Sequence, residues 1–198
     1  MSSSRVYKNR DLYLNKLIAF QDMEPVKVVT GIRRCGKSSL LKLMIQHLLD
    51  TGVPKEQIVE MNFESHDYKD LTSDGLYNHI KSIAIPGKRM YLFFDEIDTG
   101  ISGQTAWKVS GRMGRLAKDH QILCITHLPQ IAAMQDSHYL IAKEAGDDST
   151  ATHIRRLQPG ESDRELARLL GAGEISSAAL ENAREMKKTA AAEKEAAG

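Results

Sequence analysis

Apolar positions along the chain follow two rhythms. VKVVT (26–30), QIVEMNF (57–63), RMYLFF (89–94), QILCIT (121–126), HYLIAKEA (138–145) and THIRRL (152–157) are short runs rich in β-branched or aromatic residues. They predict six strands, the last two paired as a hairpin across the turn AGDDSTA (145–151). Between them, apolar residues recur at helical spacing. Leu12, Leu14, Leu17, Ile18 and Phe20 mark a short helix near the start. Leu40, Leu41, Met44, Ile45 and Leu48 keep one helical face apolar until Gly52 and Pro54 stop it. Further helices are expected over 71–84 and 104–120, the second carrying Trp107, Val109, Met113 and Leu116 as core residues. HLPQIAAMQ (127–135) reads as a loop with a short helix. SDRELARLLG predicts a helix capped by Ser162, with Glu165 at the capping-box position. EISSAALENAREM (174–186) is the last expected helix, and residues 189–198, poor in bulky apolar groups, are expected to fray or be disordered. Strands alternating with helices imply an α/β sandwich with a mainly parallel sheet.

The most specific chemical signal lies between the first strand and the helix after it. Gly31-Ile-Arg-Arg-Cys-Gly36-Lys37-Ser38 fits G-x-x-x-x-G-K-[ST] without a mismatch. Glycines let the backbone curl so that its N–H groups face phosphate oxygens, and the helix start adds its positive dipole end. Gly31, Cys35, Gly36, Lys37, Ser38 and Ser39 are therefore the expected nucleotide-binding residues, with Lys37 also serving catalysis by reaching the β- and γ-phosphates. The Ser38 hydroxyl is an expected Mg²⁺ ligand. Cys35 reads as a small loop residue rather than a redox thiol, and Arg33 and Arg34 receive no catalytic role.

The third strand runs into Asp95-Glu96. At the end of such a strand one carboxylate can hold Mg²⁺ and a second can orient and deprotonate a water. Asp95 is assigned to the metal and Glu96 to the water. The fourth strand ends in Thr126-His127, and ligands of doubly wound sheets bind at the carboxyl ends of strands. His127 is thus a candidate sensor of the γ-phosphate. The fold class expected from these motifs is a P-loop NTPase, a three-layer α/β sandwich, with ATP and Mg²⁺ as cofactors.

Two resemblances follow from the same residues. Residues 1–97, through NRDLYLNKLIAF, VKVVTGIRRCGKSSLLKLM, EQIVEMNFES and PGKRMYLFFDEI, resemble a family of prokaryotic AAA-type ATPases whose phosphate loop reads G-x-R-R-x-G-K-S. Residues 93–198, through FDEIDTGISG, ILCITHLPQIAAMQDSHYLI, THIRRL and ELARLLGAGEIS, resemble the C-terminal end of the RecN family. Those are ABC-type ATPases of the structural-maintenance-of-chromosomes kind, involved in double-strand-break repair. The second resemblance implies that His127 is a switch histidine. It also implies that the Asp98–Gly103 loop contacts a partner head in a homodimer, and that DNA is a partner. Both families place an Asp-Glu pair where the two stretches overlap, so the chain resembles a chimera joined at a shared motif. The expected organisation is one domain over 1–188, with an AAA-type half (1–94) and a RecN-like half (95–188).

Composition changes at the same place. Two alanines precede Asp95 and 17 follow, whereas all four phenylalanines lie before it. Residues 1–94 carry 14 basic and 10 acidic side chains, and residues 95–198 carry 13 and 16, so a net +4 half is joined to a net −3 half. A total of +1 provides no whole-chain argument for nucleic-acid binding. The departures from both parents bear on activity. Only 57 residues separate Lys37 from Asp95, with neither a Ser-Gly-Gly signature segment nor a coiled coil between them. The arginine finger of the AAA-type family is replaced as well. The expected function is ATP binding with slow Mg²⁺-dependent hydrolysis. The alternatives are a nucleotide-binding module without turnover, or a recombined chain with no selected role. Cys35 and Cys124 are too few for a disulfide framework or zinc site, and no apolar run reaches the roughly 20 residues that cross a bilayer. With no signal core at the start, the expected location is the cytoplasm.

Overall fold

The computed structural model describes residues 18, 21–32, 35–68, 71–98, 101, 103–145, 150–171 and 175–196. Six strands form one sheet: β1 (Val26–Gly31), β2 (Ile58–Asn62), β3 (Tyr91–Asp95), β4 (Gln121–Ile125), β5 (Ser137–Ala145) and β6 (Thr150–Arg156). Their spatial order is β2-β3-β4-β1-β5-β6. The first five are parallel, and β6 returns antiparallel to β5, with Ile141 opposite Ile154. The helices are α1 (Lys37–Asp50), α2 (Ser73–Ile83), α3 (Gly103–Leu116), α4 (Pro129–Ala132), α5 (Pro159–Leu170) and α6 (Ser177–Ala196). The expected short helix over 10–20 falls outside the described residues, apart from Ile18.

Central strands with both faces covered read as continuous apolar runs, and β3 does so because successive side chains serve opposite layers. Tyr91 and Phe93 join Leu40, Leu41, Met44 and Leu48 of α1 on one face. Leu92 and Phe94 join Ile80, Val109, Met113, Leu166, Ala183 and Met186 on the other, where α2 to α6 pack. The result is an α/β three-layer sandwich with a mainly parallel central sheet, as the sequence predicts. The two compositional halves interleave within it. β1, from the first half, lies between β4 and β5 from the second.

Two local expectations are corrected. The capping box of α5 forms one turn earlier than Ser162 and Glu165. Pro159 occupies the first helical turn, the Gln158 side chain accepts from the N3 backbone, and the Gln158 N–H donates to Glu161 at 2.9 Å. Proline is pre-shaped for this position and has no N–H to leave orphaned, so it sets the start. Ser162 and Glu165 are instead buried inside the helix. The expected frayed tail, 189–198, is helical as far as Ala196. Ala183, Met186 and Ala190 are buried along one face of α6. The end of α6 also approaches α3 closely: a Cβ on Gly111 would come 3.1 Å from Glu193, and one on Gly114 3.4 Å from the Lys194 stem. Lys194 Nζ also donates to Asp136 at 2.6 Å.

Candidate functional site at the carboxyl ends of the parallel strands

β1, β3 and β4 all end on the same edge of the sheet, because they are parallel. That edge collects the residues singled out by motif. β1 delivers Gly31, whose φ of 143° lies in the region glycine alone adopts readily. A Cβ here would collide with the carbonyl oxygen of Ile141 on the adjacent strand. Gly36 caps α1 with φ 89°, turning the loop into the helix. The Lys37 side chain is buried beneath this loop, and its ammonium donates to the carbonyls of Gly31 (3.2 Å) and Ile32 (3.1 Å). Cys35 is buried in the same cluster as Leu40 and Leu41, as expected of a small packing residue. Ser39 is half-buried on the first turn of α1. Arg33 and Arg34 lie outside the described residues.

The Ser38 hydroxyl donates to Asp95 Oδ1 at 3.1 Å, joining the start of α1 to the end of β3. Burial pushes the Asp95 carboxyl above its ordinary range, while the Ser38 bond pulls it down. Glu96 follows with φ 51°, a left-handed backbone that non-glycine residues rarely adopt. Such strain clusters where surrounding structure enforces it, frequently at functional sites. Burial also raises the Glu96 carboxyl, with Lys37 acting against that shift and Asp98 and Asp95 adding to it. The pair therefore combines two carboxyls that resist ionisation with one nearby ammonium.

His127 continues from β4. Its imidazole is largely exposed, yet its Nδ1 is paired with the buried carboxylate of Asp98 and lies 4.0 Å from Glu96 Oε2. Its backbone N–H donates to the same Asp98 oxygen at 2.9 Å. The other Asp98 oxygen is buried and has no hydrogen-bond partner among the described residues. Glu96, Asp98 and His127 present ligand atoms within 4.8 Å of one another. Asp98 is thus turned inward onto His127; the RecN resemblance implies a partner-facing role for the loop that begins with it. Of that loop, Thr99, Gly100 and Ser102 lie outside the described residues. A second residue escaped the motifs: Arg168 of α5 lines the same cleft as Gly31, Lys37, Glu96 and His127. Its signal is Glu165 three positions earlier on the helix, which the sequence pattern assigns to a capping box instead.

A family model described as an AAA domain matches residues 23–106. The match covers the phosphate loop and the acidic pair, and it agrees with the P-loop NTPase arrangement of the sheet. The chain is 39% identical over 99 residues to the DNA repair protein RecN of Bacillus subtilis, covering 50% of this chain and 17% of that protein. It is 46% identical over 93 residues to RecN of Deinococcus radiodurans, covering 47% and 16%. An alignment with RecN of Mycobacterium tuberculosis extends over 188 residues at 30% identity, covering 87% and 32%. The chain spans less than a third of the length of these curated relatives. Among the described residues, no helix is long and apolar enough to cross a membrane.

Proposed function

We propose that this domain binds ATP with Mg²⁺ and hydrolyses it slowly. The observation that carries the reading is the Ser38–Asp95 hydrogen bond at 3.1 Å, which joins a complete phosphate loop to the acidic end of β3. A hydroxyl and a carboxylate so placed suit a hard, oxygen-seeking cation. Ser38 and Asp95 would hold Mg²⁺, which would supply positive charge to offset that of the phosphates. Lys37 would take the β- and γ-phosphates, and Gly31, Cys35, Gly36 and Ser39 would contribute the loop around them. Glu96 would orient and deprotonate the attacking water. Its raised carboxyl favours this role, because a base works best with a pKa drawn toward the working pH. His127, fixed by Asp98, would sense the terminal phosphate. Turnover is expected to be slow, since a missing arginine or signature from a second molecule removes about 10³–10⁵ in rate.

The test is phosphate release under Mg²⁺–ATP by the wild type and by Glu96→Gln. Slow release that the variant loses while still binding ATP supports hydrolysis at this site. Binding without release in both would favour the second reading, a nucleotide-binding module. That reading is supported by the signature segment's absence from between Lys37 and Asp95.

A role in DNA repair and a homodimer through the loop that follows the inward-facing Asp98 are inferences from the RecN likeness, and a cytoplasmic location is inferred from the lack of a signal core at the start. The division of one domain into an AAA-type half (1–94) and a RecN-like half (95–188) is supported by the composition break and by the AAA-domain match ending at residue 106. The Mycobacterium tuberculosis alignment, covering 87% of the chain, crosses that junction and favours continuous descent instead.

A further inference from the structure

Arg168 projects from α5 into the cleft that also contains Lys37, Glu96 and His127. Its guanidinium is gripped along one edge by Glu165, with Nε donating to Oε2 and Nη2 to Oε1, both at 2.7 Å. Glu165 is no ordinary surface partner. Burial works against its ionisation, yet the Arg168 fork and the hydroxyl of Thr30 outweigh that and hold its carboxyl below the usual range. Thr30 is the residue immediately before Gly31, and it too is buried. A fork bonded on two sites to a fixed carboxylate is held in one plane. The buried carboxylate therefore fixes Arg168 relative to α5 at the edge of the cleft.

Two N–H groups of the guanidinium serve Glu165, which leaves three of its five donors. The side chain is 47% exposed, on the side of the cleft. An isolated exposed pair on a helix contributes little to stability and needs no such support. A buried carboxylate that aims an arginine beside a phosphate loop is instead the arrangement of a pre-organised anion contact.

We infer that Arg168 binds the terminal phosphate of the nucleotide from within the same chain, and so distinguishes ATP from ADP. The inference rests on the nucleotide-binding reading above. Its location supports the terminal phosphate in particular, since the cleft places Arg168 with Glu96 and His127, the residues assigned to the water and the γ-phosphate. Glu165 is then a positioning residue, acting only through Arg168.

The experiment is calorimetric titration of Mg²⁺–ATP and Mg²⁺–ADP into the wild type, Arg168→Ala, Arg168→Lys and Lys37→Ala. Arg168→Lys keeps a cation against Glu165, so it guards against loss of the fold. A lost charge-assisted hydrogen bond corresponds to about 10- to 100-fold in affinity. Arg168→Ala is expected to weaken ATP by that factor and ADP by less than about threefold, with Arg168→Lys intermediate for ATP alone. Equal weakening of both nucleotides, or of neither, would overturn the assignment. Failure of the underlying reading is distinct: the wild type would bind neither nucleotide, or Lys37→Ala would bind both unchanged.

Discussion

One carboxylate oxygen of Asp98 receives both the backbone N–H of His127, at 2.9 Å, and its imidazole Nδ1. Two contacts from a single residue to one carboxylate oxygen fix the ring's orientation. The Asp98 side chain is fully buried while that of His127 is 70% exposed.

Replacing Asp98 by Asn keeps the shape and removes the charge. With the ring no longer held by a carboxylate, turnover is expected to fall about 10- to 100-fold with ATP affinity nearly unchanged, since the loss of one charge-assisted hydrogen bond is on that scale. Parallel measurements of phosphate release and of ATP affinity check this. A variant that turns over like the wild type would remove Asp98 from the site.

Gly31 is constrained twice, by a φ of 143° and by the Ile141 carbonyl that a Cβ would strike. Gly31→Ala is expected to lower stability by about 2–4 kcal/mol, within the range for backbone strain combined with overpacking. Thermal or denaturant unfolding without nucleotide reads the effect. A melting temperature matching the wild type would mean that the β1–β5 approach is looser than described.

His138 connects the phosphate-loop strand to the C-terminal helices. Its Nε2 lies 3.0 Å from the Thr30 hydroxyl and its Nδ1 3.1 Å from that of Ser162, which also accepts from Gln135 at 2.7 Å. Burial pushes the His138 pKa down to about 4. An unfolded histidine titrates near 6.5, so between these values the unfolded chain binds more protons than the native one. Stability is fully present above that window and falls as pH drops through it, by up to about 1.4 kcal/mol per pH unit. Denaturant melts at pH 5 and pH 7 should show the fall, and His138→Gln should flatten it. An unchanged slope in the variant would assign the acid sensitivity to other groups.

The strands and the phosphate loop were readable because each carries its own local physics. VKVVT has no plausible place outside a buried strand, and the glycines at 31 and 36 mark the curl between strand and helix. The placement of the acidic pair and His127 at strand ends was readable because each directly follows a strand-forming run. What escaped notice depends on partners remote in sequence. Asp98 orients His127 across 29 positions, and Arg168 reaches the cleft beside Gly31 only after β5, β6 and α5 have folded back onto β1. The end of α6 escaped because its alanines bury little surface individually. Its last turns approach α3 at Gly111 and Gly114, which an isolated reading of the tail cannot supply. The position of the capping box was misread by preferring Ser162 to Gln158, although Pro159 already marked the first turn.

The central claim is that this domain holds Mg²⁺–ATP between its phosphate loop and Asp95. Calorimetric titration of Mg²⁺–ATP into the wild type and into Lys37→Ala tests it most directly. Lys37 is the loop's one ammonium among the described residues, and its loss should weaken binding by at least about tenfold. Saturable one-site binding by the wild type, weakened in the variant, is the predicted result. No binding heat at millimolar ATP, or equal affinity in the two proteins, would contradict the account.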